Sequence, residues 1–531
     1  MSEPAADGGH GPARAGLVLV SLIAVATVAN LNLSVANVAI PEIGNDFDSS
    51  QTTLNLIAVG YSFGLAASVL WFGALGDRYG RKLLIVLGMT LSIPVSFLAG
   101  FAWSDDVLFI ARVAGGLCAG MAYPTTLALI TALWSGRART KSIALWSAIG
   151  GGFAALGPLV SGILLEHFDW GSVFLVTIPL AVIALAMAVW FVPSHVNETT
   201  EPVDNLGGIV SVVLVGTLIL AINFWPVNGM ETTALVLFVI AVIAAPVFLL
   251  RERRADNPLY DLPVVARPTF WVAACAGIIV FGTLMAQAFV SQQYLQNVNG
   301  YSTLQAGAAA LPIALVMVVV APRSAKLVEA RGARFTLLSG YVFVFLAFVW
   351  MLLVWSEGTP YWQIALAYIF MGIGVGLAGT PASHSLTGSV PVTRAGMASG
   401  TADLQRDLGG AIMQSIFGAL LTAGYATAFA AAITASPDAD KVSDSVEAQL
   451  TKSFAGAEQI ATQYPQYTDA ITAAAKQSFL DGADWAYTAG IVSVVLGAAL
   501  VFFLFPKHDH ELELLAEYHA EDTGDDAAVT A

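Results

Sequence analysis

The sequence predicts an all-α membrane protein with about fourteen spans, and three observations carry that expectation. Of the 531 residues, 57% are hydrophobic and only 11% are charged, whereas a soluble globular chain carries roughly 25% charged residues. The charges cluster, and the stretches between them stay apolar for about 20 residues, the length at which a helix crosses a bilayer core. Lys and Arg gather in every other short connection, the asymmetry that membrane insertion imposes. A soluble core of buried parallel strands would show apolar runs of about 4 to 8 residues between turn signals. The runs here are far longer.

Apolar runs set against polar breaks place spans near 16–39, 54–75, 83–103, 107–133, 142–165, 172–192, 207–225, 233–250, 269–290, 304–322, 335–355, 362–383, 397–430 and 485–505. An even number puts both termini on one side. One set of loops carries Arg78, Arg81 and Lys82, then Arg137, Arg139 and Lys141, then Arg251, Arg253, Arg254 and Arg267. Arg323, Lys326, Arg331, Arg334 and Arg394 continue the set, and Arg14 and Lys507 flank the first and last spans. The alternate short loops hold no Lys or Arg. The expectation is a multi-pass cell-membrane protein of bacterial type with both termini cytoplasmic.

The net charge of -15 resides largely in two segments: eight carboxylates between Asp438 and Asp484, and eight between Asp509 and Asp526. Both read as solvated, so the charge implies no basic partner, and nucleic-acid binding would need a basic face. Cys118 and Cys275 fall inside apolar runs and suggest neither a disulfide framework nor a metal site. The run that begins near Gly16 is too long for a signal-peptide core and reads as an uncleaved first span.

The one long outer connection, about 431–484, has a pattern of its own. Val442, Val446, Leu450 and Phe454 recur every four residues, and Pro465 precedes a second helix-like stretch through Ile471 and Phe479. An amphipathic helical hairpin at the outer face is expected, with a partly ordered loop as the alternative. Two basic residues, Arg112 and Arg406, fall inside spans. Ionisable residues so placed face the bundle interior and serve function.

The sharpest motif is Gly73-Ala74-Leu75-Gly76-Asp77-Arg78-Tyr79-Gly80-Arg81-Lys82, between spans two and three. Its glycines permit a tight turn and close helix approach, and an aspartate beside a helix N-terminus is stabilised by the helix dipole. The motif resembles the signature G-x-L-x-D-R-x-G-R, then Arg or Lys, of the major facilitator superfamily. A weaker echo, Ala325-Lys326-Leu327-Val328-Glu329-Ala330-Arg331-Gly332-Ala333-Arg334, lies in the second half, with Glu329 in place of the aspartate. The resemblance implies two six-helix halves around a central cavity, working by alternating access, with two inserted spans near 207–225 and 233–250. The domains would be a tail 1–15, a first half 16–192, an insert 193–268, a second half 269–505 including the outer hairpin, and an acidic cytoplasmic tail 506–531. In this reading Gly73, Asp77, Arg78, Gly80, Arg81, Lys82 and Glu329 form an inner gate.

Further stretches resemble the fourteen-span drug:proton antiporter branch typified by QacA and EmrB. Asn37-Val38-Ala39-Ile40-Pro41 is similar to its N-V-A-L-P, and Gly157-Pro158-Leu159-Val160-Ser161-Gly162 to its antiporter motif. Trp170, Phe174 and Pro179 fit its aromatic–proline spacing, and Asn257-Pro258-Leu259 precedes span nine. Tyr294 through Ser302 follows span nine, and Ala398 through Gly410 marks span thirteen. Arg112 sits where the branch places an arginine linked to proton coupling, with Gly115 in place of a glutamine; bracing backbone carbonyls is the alternative role.

Asp403, Arg406 and Asp407, spaced i, i+3 and i+4, share neighbouring parts of one helix surface. Burial favours a protonated carboxylate and a nearby arginine the charged one, so this group is a proton-coupling candidate along with Arg112; a static charge cluster is the alternative. One departure stands out: the branch carries a membrane aspartate in span one, and here that position is Asn32, which carries no proton. Asn32, Phe289, Gln292, Gln293, Tyr294 and Gln296 are cargo-path candidates, with packing as the alternative for the cluster after span nine. His508-Asp509-His510 reads as solvated tail rather than a metal site, and Asn197-Glu198-Thr199 matches a glycosylation acceptor but lies in an expected cytoplasmic loop.

The expected function is proton-coupled export of a hydrophobic or amphiphilic compound by a monomer. It would be driven by the proton gradient with no cofactor and no metal. An exporter of one lipid or metabolite, or a non-transporting scaffold or sensor, are the alternatives. No nucleophile–base pair suggests an enzyme.

Overall fold

The computed structural model describes residues 12, 14–47, 49, 51–194, 196, 201–225, 229–437 and 439–523. Asn197-Glu198-Thr199 and most of the N-terminal tail lie outside the described residues, as do the side chains of Asn37, Pro41 and Pro158. Among the described residues every regular element is helical.

The first group comprises α1 (Ala15–Phe47), α2 (Gln51–Tyr79), α3 (Arg81–Gly100), α4 (Asp105–Leu133), α5 (Gly136–Leu165), the short α6 (Ser172–Leu175) and α7 (Thr177–Phe191). A pair follows, α8 (Asn205–Phe224) and α9 (Glu231–Glu252). After a single turn, α10 (Leu262–Val265), the second group comprises α11 (Pro268–Gln293), α12 (Thr303–Ala309), α13 (Leu311–Val354), α14 (Tyr361–Gly388) and α15 (Ala395–Ala435). It ends with α16 (Asp444–Lys452), α17 (Phe454–Gln463), α18 (Thr468–Leu504) and α19 (His508–Thr523). Local chemistry starts several of these helices. The Ser104 hydroxyl accepts from the Val107 N–H, Asp204 from Gly207, and Ser302 with Gln305 forms a capping box.

The helices pack as two bundles in contact with one another. Within the first, α1 lies on α5 and α7, and α4 lies on α2 and α3; within the second, α13 lies on α14 and α18, and α11 on α15. Across the bundles α2 and α4 meet α15, while α5 meets α13 and α14. Small residues set the closest approaches: a Cβ on Gly116 of α4 would stand 2.1 Å from the Tyr61 carbonyl oxygen of α2, so only glycine permits that packing. The pair α8–α9 rests on the outside of α2, with α8 also touching α15. Its α9 presents Leu235, Val239, Ile243 and Val247 outward, an apolar face suited to lipid.

Among the described residues, twelve stretches are long and apolar enough to cross a membrane, against the fourteen expected. The expected spans 304–322 and 335–355 fall in one stretch, Leu304–Val354, because the chain turns at Gly332 (φ 83°) and resumes its helix at once. The 30-residue α5, expected as a span over 142–165, is a separate helix outside the twelve.

Two expectations about polar segments are corrected. The long connection after α15 is an ordered cap: Leu450, Phe454, Ala457 and Ile460 are buried, and the Tyr425 hydroxyl of α15 donates to the Leu450 carbonyl at 3.2 Å. The second arm of the expected hairpin, through Ile471 and Phe479, is instead the first part of α18, which runs unbroken from Thr468 to Leu504. The acidic tail is not simply solvated either. Its helix α19 buries Glu511 and Tyr518 against the second bundle, because two partners there match them: the Ala333 N–H, which donates to Glu511 at 3.1 Å, and Arg267, whose guanidinium lies 4.2 Å from the Tyr518 ring.

Candidate functional site

Two groups of polar side chains join the bundles. The first lies where α2 ends. Asp77 is buried, and its Oδ1 accepts from Arg81 Nε at 2.9 Å and Nη2 at 2.8 Å. The same carboxylate accepts the backbone N–H of Gly396, the second residue of α15, at 2.9 Å and 3.1 Å. A carboxylate at a helix N-terminus meets both unpaired N–H groups and the positive end of the dipole. Arg81 Nη2 also donates to the Val392 carbonyl at 2.8 Å, so the pair grips both sides of the start of α15. The approach requires glycine twice: a Cβ on Gly73 would stand 2.7 Å from the Gly396 oxygen, and one on Gly396 would stand 2.3 Å from the Gly73 oxygen.

The other motif residues surround this contact without entering it. Gly80 (φ 110°) turns the chain between α2 and α3, a conformation that favours glycine. Arg78 stacks on Tyr79, and Lys82 donates to the Val189 carbonyl at 2.8 Å. Glu329 does not share the Asp77 site. It receives Arg137 Nε of α5 at 2.7 Å, a second contact between the bundles. The echo lacks a counterpart of Arg81, since Ala333 occupies that place, and this leaves Glu329 available to Arg137.

The second group sits on α15 deeper in the molecule. Arg406 projects among three rings from three other helices: Tyr123 of α4 at 5.8 Å, Trp146 of α5 at 4.9 Å and Phe281 of α11 at 4.8 Å. Its Nη1 donates to the Tyr123 hydroxyl and lies 4.0 Å from Asp403 Oδ1. Asp403 is 1% exposed, and among the described residues neither of its oxygens has a hydrogen-bond partner, nor does Asp407 Oδ2. The neighbouring Gln405 amide packs directly on Gly277 of α11. The three charged residues are therefore together, as their spacing predicts, and they lie where the two bundles meet.

Arg112 is elsewhere. It is enclosed within the first bundle, where Nη1 donates to the Asn32 carbonyl at 2.8 Å and Nε to the Ile57 carbonyl at 3.4 Å. Its guanidinium covers the Tyr61 ring at 4.9 Å, and Nη2 has no partner among the described residues. The Asn32 amide is fixed by Val28 and Thr177, beside a cavity of about 20 Å³ lined by Asn32, Tyr61, Ser92 and Ser96. The other cargo-path candidates do not join it. Tyr294 is fully buried, stacked on Trp355 at 4.7 Å, in a π-helical turn Tyr294–Val298. Phe289 is exposed and faces Gly418, while Gln292, Gln293 and Gln296 are half-buried around that turn. In the stretch 157–162, a Cβ on Gly157 would stand 1.9 Å from Ser34 Oγ, so this glycine lets α5 close on α1, whereas Gly162 meets Leu304 at ordinary contact distance.

Several site residues carry no sequence signal. Tyr123, Trp146 and Phe281 are aromatic residues in apolar runs, and nothing in their spacing singles them out. Arg394 and Asp261 read as ordinary loop charges, yet they pair at 3.3 Å beside the Asp77 contact.

Two helical bundles meeting at a glycine-lined contact and at a buried charge group define a multi-pass membrane protein of the transporter class. The chain belongs to the Major Facilitator Superfamily, whose family model matches residues 22–414. It is 29% identical over 491 residues to "Multidrug efflux pump LfrA" of Mycolicibacterium smegmatis, covering 92% of this chain and 94% of that one. It is 30% identical over 395 residues to "Multidrug resistance protein Stp" of Mycobacterium tuberculosis, covering 74% and 73%. The crystal structure of the human organic anion transporter MFSD10 shares the fold, with a TM-score of 0.59 at 14% identity, over 92% of this chain and 100% of that chain.

Proposed function

We propose that the protein is a proton-coupled exporter of hydrophobic or amphiphilic compounds that works by alternating access as a monomer in the bacterial cell membrane. The observation that carries the proposal is the Asp403–Arg406–Asp407 group between the bundles. Among the described residues its two carboxylates face one guanidinium, that of Arg406, so one of them has no full counter-charge. A proton that neutralises it in one orientation and leaves in the other couples the gradient to the movement of the bundles. The aromatic surround of Tyr123, Trp146 and Phe281 suits an apolar cargo. Relatives named as a multidrug efflux pump and a multidrug resistance protein support export of such compounds. Arg112, bound to the carbonyls of α1 and α2, would transmit the change within the first half.

The reading includes the fourteen-span layout of the QacA/EmrB branch, with halves 16–192 and 269–505 around an insert 193–268. A helix rises about 1.5 Å per residue, so the 51 residues of Leu304–Val354 exceed twice the roughly 30 Å bilayer core. Gly332 and Gly80 occupy the same motif position and both have positive φ, which supports a span boundary at each. Counting that stretch twice and adding α5 raises twelve to fourteen. The basic residues around the motif support a cytoplasmic location for that end and for both termini.

The test is flux in proteoliposomes under an imposed pH gradient, with cationic drugs, neutral drugs and lipids as cargo. Wild-type protein should move at least one of them, and Asp403→Asn with Asp407→Asn should abolish the gradient's effect. Transport by the double variant with unchanged pH dependence would overturn the coupling assignment. The second reading, export of one lipid or metabolite, is favoured by Asn32, which leaves the first span without a carboxylate for cationic cargo. Flux of a single member of the panel would select it.

A further inference from the structure

Resting on the reading of the Asp77 contact as a gate, we infer that Asp261 and Arg394 are positioning residues through which the inserted pair α8–α9 holds the gate in register. The segment Asn257–Asp261 links α9 to the second half, and it lies along the start of α15. Arg394, two residues before Gly396, reaches Asp261 Oδ2 at 3.3 Å and donates to the Pro258 carbonyl at 3.2 Å. The Asp261 N–H donates to the Met397 sulfur at 3.3 Å, and the Thr401 hydroxyl donates to that of Tyr260 at 3.3 Å. The helix end that Asp77 caps from one side is thus held from the other by the insert.

The chain of contacts then returns to the helix that carries Asp77. The Tyr260 N–H donates to Glu252 at 2.9 Å, and the adjacent Arg251 binds Asp204 through two bonds of 2.8 and 2.9 Å. Asn257 donates to Glu201 at 3.1 Å, which ties the segment to the stretch preceding α8. At the start of α8, Asn205 accepts the Trp71 indole N–H of α2 at 3.1 Å, and Gly208 lies flat on the same ring. These contacts close a ring, α2 to α8 to α9 to the segment to α15 and back through Asp77. The ring surrounds a cavity of about 210 Å³ lined by Ala74, Asp77, Asp204, Leu259 and Arg394.

Separation of α15 from α2 therefore strains the insert, and the insert returns α15 to the position in which Gly396 faces Asp77. Hydrophobic anchoring keeps the segment from simply following its charges. Leu259 is buried, and the Tyr260 ring sits between Phe248 of α9 and Phe270 of α11, at 6.4 and 6.3 Å.

The test uses full-length protein with Cys118 and Cys275 replaced by alanine and spin labels at Tyr79→Cys and Arg331→Cys, two exposed positions on opposite halves. Asp261→Asn and Arg394→Gln should each lower the closed-to-open ratio about three- to five-fold, the upper end of the range for loss of a partly exposed ion pair. Transport should slow with KM unchanged. The exchange Asp261→Arg with Arg394→Asp should restore most of the closed population, which a general loss of stability would not do. If Arg394→Gln fails to fold, Asp261→Asn decides alone. Wild-type distances and rates in the neutral variants overturn the inference. Asp77→Asn in the same background separates the two readings: if it opens the gate while the insert variants do not, only this inference falls. If it leaves the closed population intact, the gate reading falls with it.

Discussion

Asp77 of α2 accepts the backbone N–H of Gly396 of α15 at 2.9 Å, so a single carboxylate joins the two halves through the N-terminus of a helix. The contact is directional and buried. It depends on charge, on an intact helix end and on two facing glycines, and each dependence can be tested separately.

Removing the charge should be costly. Asp77→Asn leaves Arg81 buried without its partner, and breaking a buried pair costs about 3 kcal/mol or more. Thermal unfolding in detergent, followed by intrinsic fluorescence, should show a clear loss of stability. Adding Arg81→Gln should recover part of it, because the unpaired cation is then gone. Strictly additive losses would mean the two side chains do not act as a pair.

Adding a methyl group should open the same contact. Gly396→Ala brings a Cβ to 2.3 Å from the Gly73 oxygen and 2.5 Å from Asp77 Oδ2, so the helices must separate. Overpacking of this kind costs about 1–3 kcal/mol. A cysteine in place of the buried Met397 should then react faster with a polar maleimide, and an unchanged rate would refute the close packing.

The ring cluster makes a separate prediction. Tyr123→Phe keeps the aromatic face but removes the hydroxyl that accepts from Arg406. A lost hydrogen bond to a charged group is worth about 1.5–3 kcal/mol, so gradient-driven flux should fall by roughly ten-fold or more. Trp146→Leu removes the face itself and the indole that donates to Thr126 at 2.8 Å, and it should be at least as damaging. Normal flux in both variants would separate the aromatic cluster from transport.

The docking of α19 should depend on pH. Burial pushes the Glu511 carboxyl up to about 7, against which the Ala333 N–H pulls it down. The groups near it are His508 and Asp509 on its own stretch and Arg331 and Arg334 flanking Gly332. A carboxyl whose docked pKa is raised prefers to be protonated when docked. Its favourable contribution is therefore complete below the ordinary range near 4.5 and is lost as pH rises through about 7. Limited proteolysis near Lys507 should be slow at pH 5.5 and faster at pH 8. Glu511→Gln should remain protected at both, while Arg267→Ala should expose the tail at both by removing its bonds to Asp522 and Glu521. A pH-independent cleavage rate in the wild-type protein would contradict this account.

The readable features are those whose cause is local. Asp77, Gly80 and Arg81 lie within five positions of one another, and Gly80 makes the turn that sequence leads one to expect there. Asp403, Arg406 and Asp407 are likewise one helical turn apart, and the fold keeps them together. Arg112 illustrates the boundary: its burial follows from its span, but its partners, the carbonyls of Asn32 and Ile57, do not. The cluster after span nine misleads for the same reason. Tyr294 resembles its glutamine neighbours in sequence position, yet Trp355 claims its ring for packing.

Composition and charge asymmetry, read along the chain, suffice to mark the helices as membrane-spanning, and motif spacing suffices to mark where the chain turns and where one helix approaches another closely. Those properties depend on residues near each other in the chain and on the solvent each must face. Which helix end Asp77 caps, which rings enclose Arg406, and how an acidic tail docks on Arg267, 255 residues before Asp522, were decided only by packing. The physical reason is that a buried polar group must be satisfied wherever the fold places a partner, and distance along the chain sets no limit on where that is.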